Sequence, residues 1–200
     1  MKATFCLLAA LVSLAPMCAE SLTQGERDRA LSELYAGRKQ FLDSIAGLTE
    51  AQWNFKPAPN VWSIAECAEH IAVSDDFVLE SLPKLMQTPA EPQKRAAVKG
   101  KDEFILKAML DRSHKAQAPE MLVPKRRWPN EAALVEHFKQ SRDRLLDYVR
   151  STGDDLRDHF MEHPIFKTID AYQVVLMMSA HTERHTAQLN AVKQAPGYPK

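Results

Sequence analysis

The chain has 200 residues, with 26 Lys and Arg against 26 Asp and Glu, so its formal net charge is zero. A neutral balance gives no electrostatic footprint for nucleic acid or for an anionic membrane surface, and neither is expected as a partner. Three cysteines, two of them within the first 18 residues, leave no disulfide framework for the rest of the chain.

The first segment, "MKATFCLLAALVSLAPMCAESL", carries one cation, Lys2, then an apolar run from Ala3 to Leu14 and a set of small residues. The run is too short to span a bilayer and has the length of a signal-peptide core. Residues 1–19 therefore read as a signal peptide cleaved after Ala19, and the protein is expected to be exported, periplasmic or extracellular. Cys18 raises the alternative of a lipoprotein, which Pro16-Met17 fits badly. The remaining 181 residues, 20–200, suffice for one domain with a substantial core and contain a single cysteine, Cys67.

That domain reads as all-α. "TQGERDRALSELYAGRKQFLDSIAGL" opens with Thr23 and Glu26 at capping-box spacing and places Leu31, Leu34, Phe41, Ile45 and Leu48 on one face, stopping near Gly47. Pro57 and Pro59 break the next stretch. A second capping box, Ser63 with Glu66, starts a helix whose apolar face holds Ile64, Cys67, Ile71, Val78 and Leu82, and Pro83 is expected to end or kink it. Residues 83–129 are a long proline- and lysine-rich connection carrying one short helix, "KDEFILKAMLDRS". Within it, "PKRRWP" at 124–129 reads as a solvated basic loop.

A third long helix, capped by Asn130, turns Leu134, Phe138, Ser141, Leu145 and Val149 inward. Residues 151–169 read as loop with no convincing strand, and a last helix capped by Asp170 runs to about Lys193. The fold class is thus a four-helix bundle with a long crossover connection between helices two and three, long enough for those two helices to run parallel.

The histidines fall into this frame. At about 100° per residue, His181 and His185 lie about 40° apart on the last helix, in the arc of Val174, Met177, Met178, Gln188, Leu189 and Val192. Two imidazoles one turn apart can share one ion. His70, set among Cys67, Val73 and Phe77 on the second helix, is the best third ligand. A lone inward histidine is more often a satisfied core residue, but three on two helices would each need a partner in an apolar bundle. Spacing alone leaves both readings open. His114, His137, His159 and His163 have no second ligand at helical spacing, Pro164 interrupting the last two.

Two segments carry a resemblance. "NVWSIAECAEHIA" at 60–72 and "HTERHTAQL" at 181–189 resemble the two signature segments of the DinB-like superfamily. The resemblance covers about residues 25–195. It implies a small four-helix bundle with a divalent metal held by His70, His181 and His185, and relatives that include thiol-dependent transferases and isomerases using bacillithiol or mycothiol. Those enzymes work in the cytoplasm, so the apparent signal peptide is a departure from them.

Three neutral imidazoles would keep the ion's full charge and leave a position open for water or substrate. Zinc or nickel is expected, and imidazole suits iron as well. Glu66, one turn before His70, is a candidate general base or an orienter of His70, besides its capping role. Arg38, central in the apolar arc of the first helix, is a candidate cation for an anionic substrate unless it pairs with a carboxylate or reaches solvent. Gln188 is a candidate partner of His185. The expected function is an exported metal-dependent enzyme, hydrolase or thiol S-transferase, on a small-molecule substrate. The alternatives are a non-catalytic metal-binding bundle and an interaction module. The oligomeric state is open, a homodimer included.

Overall fold

The computed structural model describes residues 21–113 and 117–200. The expected signal peptide, residues 1–19, lies outside the described residues, as does His114. The described elements are α1 (Gln24–Ile45), α2 (Glu50–Asn54), α3 (Ile64–Met86), α4 (Arg95–Val98), α5 (Lys101–Leu110), α6 (Glu131–Ser151), β1 (Phe160–His163), β2 (Lys167–Asp170) and α7 (Ala171–Lys193), with 3₁₀ turns at Pro92–Lys94 and Glu120–Leu122. The four long helices α1, α3, α6 and α7 make the bundle. Among the described residues no helix is long and apolar enough to cross a membrane.

Each long helix starts where its cap dictates. Thr23, Ser63 and Asp170 close capping boxes with Glu26, Glu66 and Gln173, and Asn130 accepts from the Ala133 amide at 2.9 Å. Such caps satisfy N–H groups that the first helical turn leaves without partners. α1 stops one residue before Ala46, and Gly47 takes a left-handed turn at φ 70°. Pro83 does not end α3, which continues to Met86.

Hydrogen bonds fix the directions. Tyr172 donates to the Glu26 carbonyl (2.9 Å), Ser179 to that of Glu33 (2.6 Å), and Asn190 to Ser44 (3.2 Å), so α1 and α7 run parallel. They approach closely at Gly37, where an added Cβ would sit 3.4 Å from the Ser179 carbonyl oxygen. α3 and α6 are likewise parallel, and antiparallel to the other pair. Their first halves, Ile64–Ala72 and Leu134–Phe138, meet Leu189 and Val192 in one cluster with Phe41 and Trp53, and their second halves meet Val174–Met178 in another. The crossover between α3 and α6 makes this possible. α5, within it, lies along α7: Gln173 donates to Asp102 (2.8 Å) near one end and Arg184 to the Met109 carbonyl (3.0 Å) at the other.

One expectation is corrected. Residues 160–169, read as loop, form with Asp170 an antiparallel hairpin pairing Phe160 with Asp170 and His163 with Lys167. Strands of four residues are too short to display the alternation that marks a half-buried strand. The turn is held by His163 Nδ1, which accepts from the amides of Ile165 and Phe166, both at 3.2 Å.

Candidate metal centre

α3 and α7 bring His70, His181 and His185 together, with one ring nitrogen from each within 4.8 Å of the others. Ring centroids are 4.9 Å apart for His70–His181, 4.4 Å for His70–His185 and 4.5 Å for His181–His185. Trp62, just ahead of the Ser63 cap, stands 5.0 Å from the His70 ring and forms one wall. The α7 histidines sit at the edge of the buried arc rather than in its middle. Its centre is Thr182, Thr186 and Leu189, all fully buried, with both threonine hydroxyls bonded back to carbonyls one turn earlier. Phe77, expected beside His70 on the inward arc, is exposed.

Hydrogen bonds set two of the three tautomers. His70 Nδ1 lies 2.8 Å from the carbonyl oxygen of Leu122, which can only accept, so the proton sits on Nδ1 and Nε2 presents a lone pair. His185 Nδ1 faces Gln188 Oε1 at 2.9 Å with the same consequence. The bare Nε2 of His70 is 3.1 Å from Nε2 of His181, whose buried Nδ1 has no partner among the described residues. Metal-binding imidazoles share this pattern: a hydrogen bond holds the distal nitrogen and leaves the other free to ligate.

Protonation supports the same reading. Burial pulls the pKa of His70 down despite the Leu122 bond. Burial, then the charges of His70, Arg184 and Arg112, take His185 down to about 3 against the bond to Gln188. His181 lies well below its ordinary value through burial, its two neighbouring histidines, Arg142 and Arg184. All three are neutral near pH 7, the form that ligates a metal.

Below the histidines lies a fully buried ion pair. Arg142 on α6 donates to both oxygens of Asp75 on α3 (2.9 and 2.7 Å) and to Thr182, next to His181, at 2.7 Å. Above them the crossover is pinned by Glu69, the neighbour of His70. Its carboxylate accepts from the amides of Lys125 (2.7 Å), Arg126 (2.8 Å) and Arg127 (3.3 Å) and from the Arg127 guanidinium (2.7 Å). Burial would raise the Glu69 pKa, but these bonds outweigh it and hold the acid below its usual range. "PKRRWP" is therefore no freely solvated loop: it is bent around a buried carboxylate, with Arg126 at φ 58°. The same clamp delivers the Leu122 carbonyl to His70.

The other expected site residues have partners of their own. Glu66 caps α3, accepting from the Ser63 amide at 2.7 Å, and its two oxygens take Lys56 at 2.8 Å. Arg38 pairs with Asp143 at 3.1 Å. Among the described residues, none of the hydrogen bonds or ion pairs of either side chain goes to a histidine. Gln188 bonds His185 as expected. Cys67 is buried and its thiol is pushed up to about 12, chiefly by burial, which makes it inert. His137 pairs with Asp76 at 2.7 Å, and His159 contacts Thr88 at 3.4 Å. Sequence spacing singles out none of Leu122, Glu69 and Arg142. The first acts through its backbone, which carries no residue-type signal, and the other two read as ordinary charged residues until the fold buries them.

A four-helix bundle with three neutral imidazoles converging from two helices defines a class of metal-binding bundle proteins. The DinB superfamily model matches residues 33–189, and the chain belongs to that superfamily. It is 24% identical over 157 residues to the uncharacterized protein YuaE of Bacillus subtilis, covering 78% of this chain and 93% of that relative. A solved structure, YfiT from Bacillus subtilis, described as a probable metal-dependent hydrolase with an unusual four-helix bundle topology, is 16% identical with a TM-score of 0.47, over 90% of this chain and 93% of that one.

Proposed function

We propose that the protein is an exported metal-dependent enzyme in which His70, His181 and His185 hold one divalent ion, zinc or nickel, and that a small molecule reacts at the ion's open position. The observation that carries this is the pair of bonds, His70 to Leu122 and His185 to Gln188, that leave both Nε2 lone pairs bare in a cluster where one ring nitrogen of each histidine lies within 4.8 Å of the others. Such an ion would supply Lewis acidity, lowering the pKa of a bound water or thiol or polarising a carbonyl. The chain's own residues supply the rest. Leu122 and Gln188 orient the imidazoles, Trp62 walls the site, and the buried Arg142–Asp75 pair fixes Thr182 and hence the turn of α7 that presents His181.

Glu66 is committed to Lys56 and the Ser63 cap, so no role as base is proposed for it. A hydrolase and a thiol S-transferase then differ only in whether water or a thiol is the nucleophile. The test is a parallel assay of zinc- and nickel-loaded mature protein with an activated ester in water and with an activated aryl halide plus a small thiol. Turnover that needs both metal and His181 is expected in one arm. Turnover unchanged in His181→Ala, or metal-loaded protein inert in both arms, overturns the catalytic reading, the latter in favour of a metal-holding bundle.

A further inference from the structure

The part of the crossover that meets His70 is folded around one guanidinium. Arg127 Nη1 donates to the Val123 carbonyl at 3.0 Å, and Nη2 to the Met121 carbonyl at 2.9 Å. Both neighbours of Leu122 thus turn their carbonyls to Arg127, while the Leu122 carbonyl between them goes to His70 Nδ1 at 2.8 Å. The 3₁₀ turn at Glu120–Leu122 has no side-chain cap. Its own bonds, Leu122 amide to Pro119 (2.9 Å) and Val123 amide to Glu120 (3.2 Å), shape the turn but do not tie it to α3. Arg127 does, because Nη1 also donates to the Glu69 carboxylate at 2.7 Å, one residue from His70. That carboxylate holds the amides of Lys125, Arg126 and Arg127 without help from the Arg127 side chain. Attaching the crossover to α3 and aiming its carbonyl at His70 are therefore separate tasks, the first done by amides and the second by the guanidinium.

We propose that Arg127 is a positioning residue of the metal centre: by bracketing Leu122 it aims the carbonyl that fixes the His70 ring, with the proton on Nδ1 and Nε2 turned to His181. The inference rests on the three-histidine reading and adds to it the group that sets one ligand. A guanidinium suits the task, because its donors diverge from a rigid plane and reach a carboxylate and two carbonyls at once. An ammonium carries its donors on a single nitrogen and spans fewer acceptors. His185 is the internal contrast. Its Nδ1 is held by Gln188, three residues along the same helix, so its orientation belongs to α7 and owes nothing to the crossover.

The test is nitrogen NMR of the histidine rings in metal-free mature protein at neutral pH, where each resonance shows whether its nitrogen carries the proton, paired with calorimetric titration of zinc. In wild type, His70 and His185 should both be protonated on Nδ1. Arg127→Met keeps the three amide bonds to Glu69. It should leave His185 unchanged, put His70 into a mixture of tautomers and weaken zinc binding by about tenfold or more. Arg127→Lys should recover part of both effects, and Gln188→Leu should disturb His185 while sparing His70. His70 still held on Nδ1 in folded Arg127→Met, or His70 and His185 disturbed alike, overturns the proposal while the metal centre stands. Should Arg127→Met fail to fold, a wild-type His70 tautomer and wild-type zinc affinity in Arg127→Lys overturn it instead. Wild-type protein that binds no zinc removes the metal centre, and this inference with it, and is recognised from the metal content alone.

Discussion

Two buried polar clusters can be set side by side. Near the start of α7, Arg157 binds Glu26 (2.7 Å), Asp102 (2.7 Å) and Asp170 (2.9 Å) and lies over the Tyr172 ring at 4.0 Å. Further along α7, three histidines turn bare nitrogens toward one another with no carboxylate among them. The first cluster joins α1, α5, α7 and the segment before β1 and satisfies itself. The second is complete only with a cation. Polarity that closes on itself is architecture, and polarity left converging on a point is a binding site.

The sharpest way to break that contrast is to remove one member of each. His181→Ala should take metal content from about one equivalent per chain to none, by elemental analysis, in a protein that still folds. Full occupancy in the variant would end the three-histidine reading. Arg157→Leu should do the reverse. It strands Asp170, only 1% exposed, beside Asp102, and should cost about 3 kcal/mol in urea unfolding while the folded fraction keeps its metal.

Acid gives a third comparison, in metal-free protein. The three histidines have folded pKa values below the unfolded value of about 6.5, so under that pH the unfolded chain takes up protons that the folded chain refuses. Their contribution to stability is whole above about pH 6.5 and declines as pH falls, His185 continuing down to about 3, at up to about 1.4 kcal/mol per pH unit for each histidine. The Arg157 cluster behaves differently because its acids move in opposite directions. Glu26 is lowered, its bonds to Thr23 and Arg157 outweighing burial, while burial raises Asp170 to about 6 despite Arg157. Below about pH 6 the protonation of Asp170 stabilises the fold and offsets part of the histidine loss, whereas Glu26 costs stability only below about pH 4.5. Equilibrium unfolding should therefore show stability falling between pH 6.5 and 5, and His181→Ala should flatten that slope. An unchanged slope would mean that the histidines are not buried as neutral groups.

The smallest effect is on the clamp. Glu69→Gln keeps the shape but loses the charge that gathers three amides and a guanidinium, and should cost about 1–2 kcal/mol. It should also loosen metal binding, because Leu122 orients His70 only while the crossover is pinned. Calorimetric titration of zinc into the variant checks this. An affinity equal to wild type would confine Glu69 to stability.

What could be read in the sequence follows physical range. Caps act within four residues, so Thr23, Ser63, Asn130 and Asp170 marked their helix starts directly. Helical spacing puts His181 beside His185 and sets His70 on the inward arc of the second helix, and the resemblance implicates the same three. The partners of Arg38 and Glu66 come from tertiary packing, which periodicity does not rank: Asp143 lies on another helix, and Lys56 in a loop. Glu69 was invisible for a related reason. Its acceptors' partners are main-chain amides more than fifty positions away. The hairpin was lost because each strand offers only four residues.

The parallel pairing of α3 with α6 has a kinetic consequence. Parallel neighbours require the long crossover, so His70 and His181 stand 111 positions apart, and the Leu122 carbonyl arrives from a third place between them. No local fragment holds the donor set. Closing so long a loop is slow, and its product appears only once the bundle has docked and the strap has been laid down. An ion that binds the assembled set and not the open chain traps the late state and lengthens its lifetime by mass action. Uptake of metal in a refolding experiment should accordingly trail the recovery of helical signal, and the lag between the two would time the docking of the crossover.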